Sequence, residues 1–186
     1  MSKRILVVLS EWGYWGEELI GPLDVLTKSG YQLDFMTPFG RKPPALPPSM
    51  EEGYLDPPLN KVVTDAHFAK RTTEVDSSDL LEKPINLSEK ISLMPYFNGE
   101  NFGLELADFH ERREEFWKEF VDPYDALLLP GGSGPMVDMV NNERLHNLIL
   151  GYVDRDKLIA AECYCVTCLA FARDWTDRKS IIWGKN

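Results

Sequence analysis

The sequence predicts an α/β protein, a three-layer sandwich with a mainly parallel central sheet. Three observations carry this. Residues 5–9 (ILVVL) and 126–129 (ALLL) are short, continuous apolar runs, as expected for strands buried on both faces. Residues 17–29 have helical spacing and lie between the first run and an alternating segment at 31–37. A strand–helix–strand unit of this length implies a parallel pair joined by a right-handed crossover. Finally, residues 157–173 (KLIAAECYCVTCLAFAR) set a short apolar run directly before an apolar helix, with Cys163 between them and almost no loop.

Composition sets the bounds. At 186 residues the chain is long enough for one domain with a sizeable core. It is 44% hydrophobic and 27% charged, a globular rather than a disordered balance. Lys and Arg number 20 against 30 Asp and Glu, a formal charge of -10. That charge disfavours nucleic acid and anionic membranes as partners and leaves a buried small-molecule site open. No apolar run is long enough to span a bilayer, and the N-terminal apolar stretch is too short for a secretory signal. A cytoplasmic location is the expectation. The 3 cysteines, an odd number without a signal peptide, point to a reducing compartment and away from a disulfide framework.

The elements follow in order. After the first strand, the loop SEWGYWGEE interleaves Trp12, Tyr14 and Trp15 with Gly13 and Gly16. Aromatic side chains at a strand's C-terminal end either line a pocket, which would enlist Trp12 and Trp15 in substrate binding, or simply cover the sheet. In the helix at 17–29, Leu19, Ile20, Leu23 and Leu26 share a face, and Gly30 supplies the stop. Gly21-Pro22 predicts a kink, because proline removes a backbone donor. Residues 31–37 place Leu33, Phe35 and Thr37 on one side of a second strand. Residues 38–101, with PPALPP and DPP, are too long for a plain loop. They are expected to form an irregular cap or interface, with short helices near 60–70 and 77–81. Residues 104–120 form a better helix, in which Phe109, Phe116, Trp117 and Phe120 share a face with the stem of Arg113. The strand at 126–129 runs into PGGSGP, a turn that brings backbone N–H groups close to a ligand. Residues 138–140 and 144–153 read as helical, 158–161 as the strand before Cys163, and 179–183 as a last strand.

A strand that turns straight into a helix around one nucleophilic residue is a nucleophile elbow. It lifts the Cys163 side chain out at the strand's C-terminal end, where the first N–H groups of the helix favour a thiolate or an oxyanion. Most free cysteines are inert packing, and from Cys163 alone that reading stands level with the functional one. Cys163, Cys165 and Cys168 also form C-x-C-x-x-C. Three thiols can ligate zinc, but no fourth ligand is evident and the surroundings are apolar, so no metal is expected.

Several stretches together resemble the PfpI/ThiJ superfamily, of the class I glutamine amidotransferase-like, flavodoxin-like fold. They are ILVVL followed by GEELIGPLDVLTKSG, then DPYDALLLPGGSGPMVDM, then AAECY. YDALLLPGG with GPMVDM is similar to the glyoxalase III and chaperone branch. The resemblance covers most of the chain, as a single domain over residues 1–186, apart from parts of the 38–101 excursion. It implies that Cys163 is the elbow nucleophile and that Glu18, four residues before Pro22, is the acid hydrogen-bonded to the thiol, with Glu17 as the neighbouring alternative. It also implies that Gly131 and Gly132 form a backbone oxyanion site with the Tyr164 N–H.

The sequence departs from that pattern. The branch commonly has His after the nucleophile, where Tyr164 stands here. His110 and His146 fall on predicted helices, which leaves His67 in the excursion as an accessory candidate. Glu162 precedes the nucleophile where an apolar residue is usual, which makes it a second acid or a partner's counter-charge. Family members also continue past the strand that SIIWGKN resembles. The expectation is a truncated C-terminal end, with a second polypeptide or a homo-oligomer partner completing the sheet. The resulting functional expectation is a cofactor-independent cysteine enzyme acting on a small aldehyde or an amide-like carbonyl by hydrolysis, hydration or a glyoxalase-type lyase reaction. The alternative is a non-catalytic redox sensor or chaperone-like protein that uses Cys163 oxidation.

Overall fold

A computed structural model describes residues 3–185. The elements run β1 (Arg4–Val8), α1 (Gly16–Lys28), β2 (Gln32–Thr37), a 3₁₀ turn (Pro47–Met50), β3 (Leu55–Asp56), β4 (Lys61–Val62), α2 (Ala66–Asp76), β5 (Ile85–Asn86), α3 (Leu87–Lys90), α4 (Phe102–Phe120), β6 (Ala126–Leu129), α5 (Pro135–Asp138), α6 (Glu143–Asp154), β7 (Leu158–Ala161), a 3₁₀ turn (Cys163–Cys165) and α7 (Val166–Phe171). The central sheet has the order β5-β2-β1-β6-β7, and every pairing in it is parallel.

The two apolar faces of β1 explain the layers. Ile5, Val7 and Leu9 pack against α1 together with Leu19, Ile20 and Leu23. Leu6 and Val8 point the other way, to Phe116, Trp117 and Phe120 of α4 and to Leu145, Leu148 and Tyr152 of α6. A strand buried on both faces has no polar side to display, hence its unbroken apolar run. On the second face the α4–α6 contact is close. Trp117 Nε1 donates to Asn147 O at 2.8 Å, and Tyr152 Oη donates to Phe120 O at 3.1 Å. Arg113 stacks its guanidinium 4.7 Å from the Trp117 ring centre.

Three expectations from the sequence change. Residues 179–183 do not form a strand. They lie in turns, with one antiparallel bridge from Arg173 to Ser180 and Ile181 N donating to Ala172 O, so this segment folds back on the end of α7 instead of joining the sheet. Residues 77–81 are not helical, because Ser77 and Ser78 hydroxyls bond back to Thr73 O and Val75 O and close α2. Residues 60–65 are not helical: Lys61–Val62 form β4 of the β3–β4 hairpin, and the helix starts only where Asp65 accepts from Phe68 N. The edge strand β5, two residues long, carries no sequence signal of its own. Among the described residues no helix is long and apolar enough to cross a membrane.

Gly151 sits where α6 meets Trp117, and a Cβ there would lie 2.6 Å from the indole. Gly151→Ala is therefore expected to lower stability by about 1–3 kcal/mol through overpacking. Gly21, in mid-helix with nothing near its missing Cβ, is the contrast: Gly21→Ala is expected to raise stability by about 0.5–1 kcal/mol. Urea unfolding of the two variants checks both signs.

Candidate functional site

The site forms where three segments converge at the C-terminal edge of the sheet. Strand β7 ends at Ala161, and Glu162 N still donates to Leu129 O at 3.1 Å, which keeps the chain in register with β6. Cys163 then takes φ +50°, a left-handed conformation that a non-glycine residue adopts at a cost of about 1–3 kcal/mol. This sharp turn, closed by Cys165 N donating to Glu162 O at 2.9 Å, makes the elbow and leaves Cys163 exposed toward a pocket.

Helix α1 supplies the acid. Glu18 Oε2 accepts from Gly131 N at 2.7 Å, and the same carboxyl lines the pocket beside the Cys163 thiol. Burial pushes Glu18 above the usual carboxylate range, and the Gly131 amide and the thiol pull it partly back. Cys163 does not show the lowered pKa that a helix start suggests. Desolvation pushes it up and the Glu18 charge adds to that, while the Gly132 and Tyr164 N–H groups, directed at the sulfur, oppose it.

Gly131 has to be glycine. A Cβ there would lie 2.6 Å from Glu162 O, 2.8 Å from Cys163 Cβ and 2.9 Å from Glu18 Oε2. Its N–H is already given to Glu18, so the amides free to hold an oxyanion are those of Gly132 and Tyr164. Gly132, at φ +99°, lies so close to the backbone of Tyr14 and Trp15 that a Cβ would sit 2.7 Å from Trp15 N. Trp15 N in turn donates to Gly131 O at 3.1 Å. Two clamps hold the surrounding loops. Asp138 accepts from Ser10 Oγ at 2.6 Å and Glu11 N at 2.9 Å. Glu11 accepts from Phe39 N at 2.6 Å and Arg41 N at 3.1 Å, which fixes the start of the excursion.

The pocket, of about 430 Å³, is lined by Trp15, Glu17, Glu18, Gly132, Ser133, Cys163 and Tyr164, and by Leu46, Pro48, Asp56, Leu59 and Val63 of the excursion. The excursion is thus a wall over the nucleophile. Its five lining residues carried no sequence signal, because neither periodicity nor motif marks them. Three candidates lie elsewhere. Trp12 lines a separate surface groove with Glu11, Arg41 and Lys42, since it stands on the outer side of the turn from Trp15. His67 is exposed on α2 against Phe68. Glu162 lines an apolar groove beside α1 on the far side of β7, and reaches the site only as a charge that helps raise Glu18. His146 is turned to Val140 O and His110 to Trp175, so among the described residues no histidine lines the pocket. Among the same residues no group of three His, Cys, Asp or Glu is placed to hold a metal ion.

With this geometry in place, comparison with known proteins is decisive at the level of family. The description "ThiJ/PfpI family-like" matches residues 9–185. The chain belongs to the ThiJ/PfpI-like family. Among solved structures, it is similar to Rapid Encystment Protein 24 KDa of Francisella tularensis, at 19% identity and TM-score 0.60, over 97% of this chain and 66% of that one. It is also similar to a ThiJ/PfpI domain protein from Brachyspira murdochii, at 15% identity and TM-score 0.51, over 92% of this chain and 65% of that one. The chain therefore spans just under two thirds of the length of these structures. At such identities they bear on the fold alone, which they share with it. Comparison with curated proteins returns no match.

Two measurements test the electrostatics of the ThiJ/PfpI-like site. Glu18→Gln removes a negative charge beside the sulfur, so the pH midpoint for native alkylation of Cys163 by iodoacetamide is expected to fall. The same substitution bears on stability. Because folding raises the Glu18 pKa, the stability its protonated form contributes is present below the unfolded value and is lost as pH rises through the folded value. Glu18→Gln is therefore expected to melt higher than wild type at pH 7, with the gap closing toward pH 4.

Proposed function

We propose that this ThiJ/PfpI-like protein is an enzyme in which the Cys163 thiolate adds to the carbonyl carbon of a small aldehyde or an amide-like substrate. The observation that carries this reading is the Glu18 carboxyl held between the Gly131 N–H and the Cys163 thiol at the floor of a pocket of small-molecule size. In the first step Glu18, as the carboxylate, takes the thiol proton while sulfur bonds to carbon. The carbonyl oxygen gains the electron pair and is held by the Gly132 and Tyr164 N–H groups. Glu18 then returns the proton to that oxygen or to a leaving group. Hydrolysis, hydration and a glyoxalase-type rearrangement all begin this way and diverge only in what leaves. A raised carboxyl pKa brings the acid closer to the working pH, as proton transfer in both directions requires.

The second reading, a redox sensor in which Cys163 is oxidised, is favoured by the absence of a pocket histidine among the described residues. We also propose that the active unit is an assembly. Leu158 on β7 is 68% exposed and Val25 on α1 is 64% exposed, and between them runs an apolar groove of about 400 Å³ along a free parallel edge. A second polypeptide or a second copy lying there would remove an edge that otherwise invites pairing.

Screening small aldehydes and amides against wild type, Cys163→Ala and Glu18→Gln tests the first reading. Turnover is expected to vanish in Cys163→Ala and to drop by roughly 10²–10⁴-fold in Glu18→Gln. Turnover that survives complete alkylation of Cys163 overturns it. Light scattering on the purified protein tests the assembly. A stable, well-folded monomer of this chain alone counts against it.

A further inference from the structure

Two nucleophilic side chains are left unused by the chemistry above. Cys165 and Cys168 are both fully buried under the elbow. Cys165 precedes the first residue of α7, in right-handed helical geometry, and Cys168 follows three residues later. Across one helical turn the two Cα atoms lie about 5 Å apart, within the roughly 4.4–6.8 Å that a disulfide spans. The two thiols lie close enough for each to shift the other's ionisation. The Cys165 thiol also reaches Pro130 O at 3.0 Å, so it ties the elbow to the turn that presents Gly131 and Gly132.

We propose that Cys165 and Cys168 are a redox-active dithiol that closes to a disulfide beneath the pocket, with Cys163 as its entry point for peroxides. Burial bars a direct approach to the pair, whereas Cys163 faces the pocket two residues away. The Cys163 thiolate attacks a peroxide oxygen, the O–O bond breaks, and sulfenic acid and one hydroxide form. The Cys165 sulfur then attacks the Cys163 sulfur. The S–O bond breaks, and water leaves with the Cys165 proton. Cys168 attacks the Cys165 sulfur, releases Cys163 as a thiolate and passes its own proton to the hydroxide. In sum one peroxide and two thiols give one disulfide and two hydroxyl products, water when the oxidant is hydrogen peroxide, and Cys163 returns reduced. Closing the bond removes the S–H donated to Pro130 O, so the oxyanion turn loses a tie when the dithiol is oxidised.

This inference rests on the proposed function only for the reactivity of Cys163, and its readout is mass rather than turnover, so either can fail without the other. The experiment treats the full chain with stoichiometric hydrogen peroxide, alkylates it under denaturing conditions with N-ethylmaleimide, and digests it without reduction using a protease that cuts after Tyr164. That cut separates Cys163 from the other two cysteines. The expected product is a fragment holding Cys165 and Cys168, unalkylated and two hydrogens lighter, together with a fragment holding alkylated Cys163. Amide exchange at Gly131 and Gly132 is expected to quicken in this form. Cys163→Ser is expected to lose the closure, and Cys168→Ser to stop at a Cys163–Cys165 link that survives the cut. Oxygen adducts on Cys163 with Cys165 and Cys168 both alkylated in wild type would overturn the proposal, as would unimpaired closure in Cys163→Ser.

Discussion

One contact organises this molecule's working edge: the Glu18 carboxyl, held by the Gly131 amide at 2.7 Å and resting against the Cys163 thiol. Three separate stretches of chain must arrive together to make it. Helix α1 has to begin at Gly16, β6 has to end at Leu129, and β7 has to end two residues before Cys163. The parallel register fixes the last two, since Leu129 pairs with Ala161. The contact also leaves no space for a side chain at position 131.

Desolvation raises the pKa of both the Glu18 carboxyl and the Cys163 thiol; the Glu18 charge adds to the rise of the thiol, whereas the thiol partly offsets that of the carboxyl. The fold tolerates this because the rest of the edge is rigid. The Ser10–Asp138 and Glu11–Arg41 ties bind the loops after β1 and β2, and the excursion closes over the pocket through Leu46, Pro48 and Leu59. Below, the core of β1 and β6 between α1 and α4 supplies most of the stability, with each buried leucine contributing about 1.5–3 kcal/mol. The site is therefore a strained corner, half-buried at Glu18 and open at Cys163, carried by an apolar sheet.

The strands β1, β6 and β7 were legible in the sequence because burial on both faces, or an abrupt meeting with a helix, leaves a plain apolar run. Helices α1, α4 and α6 were legible from their spacing. Strand β5 was not, since two residues hold no pattern. The turn at 179–183 reads as a strand because Ile181 and Ile182 are apolar, yet the Arg173–Ser180 bridge and the bond from Ile181 N to Ala172 O fold it back on the end of α7. At the site, Cys163 stood out by position, whereas Glu18 came from the family resemblance, because one glutamate in the first turn of a helix looks like any other. Trp12 and Trp15 are alike in sequence, and only the turn between them decides which faces the pocket. The pocket wall from 46–63 was illegible for a similar reason. Those residues meet Cys163 through loop geometry, which composition does not encode.

The central claim is that the Glu18 carboxyl is held beside the thiol with its pKa raised by burial, not solvated at a helix end. The direct measurement is the Glu18 titration itself, followed by carbon NMR on protein labelled at the glutamate carboxyl carbons, with Glu18→Gln used to assign the signal. The account predicts a midpoint above the ordinary glutamate value, together with a response of the Glu18 signal when Cys163 is alkylated. A Glu18 midpoint at or below the ordinary value, unmoved by alkylation, would contradict it.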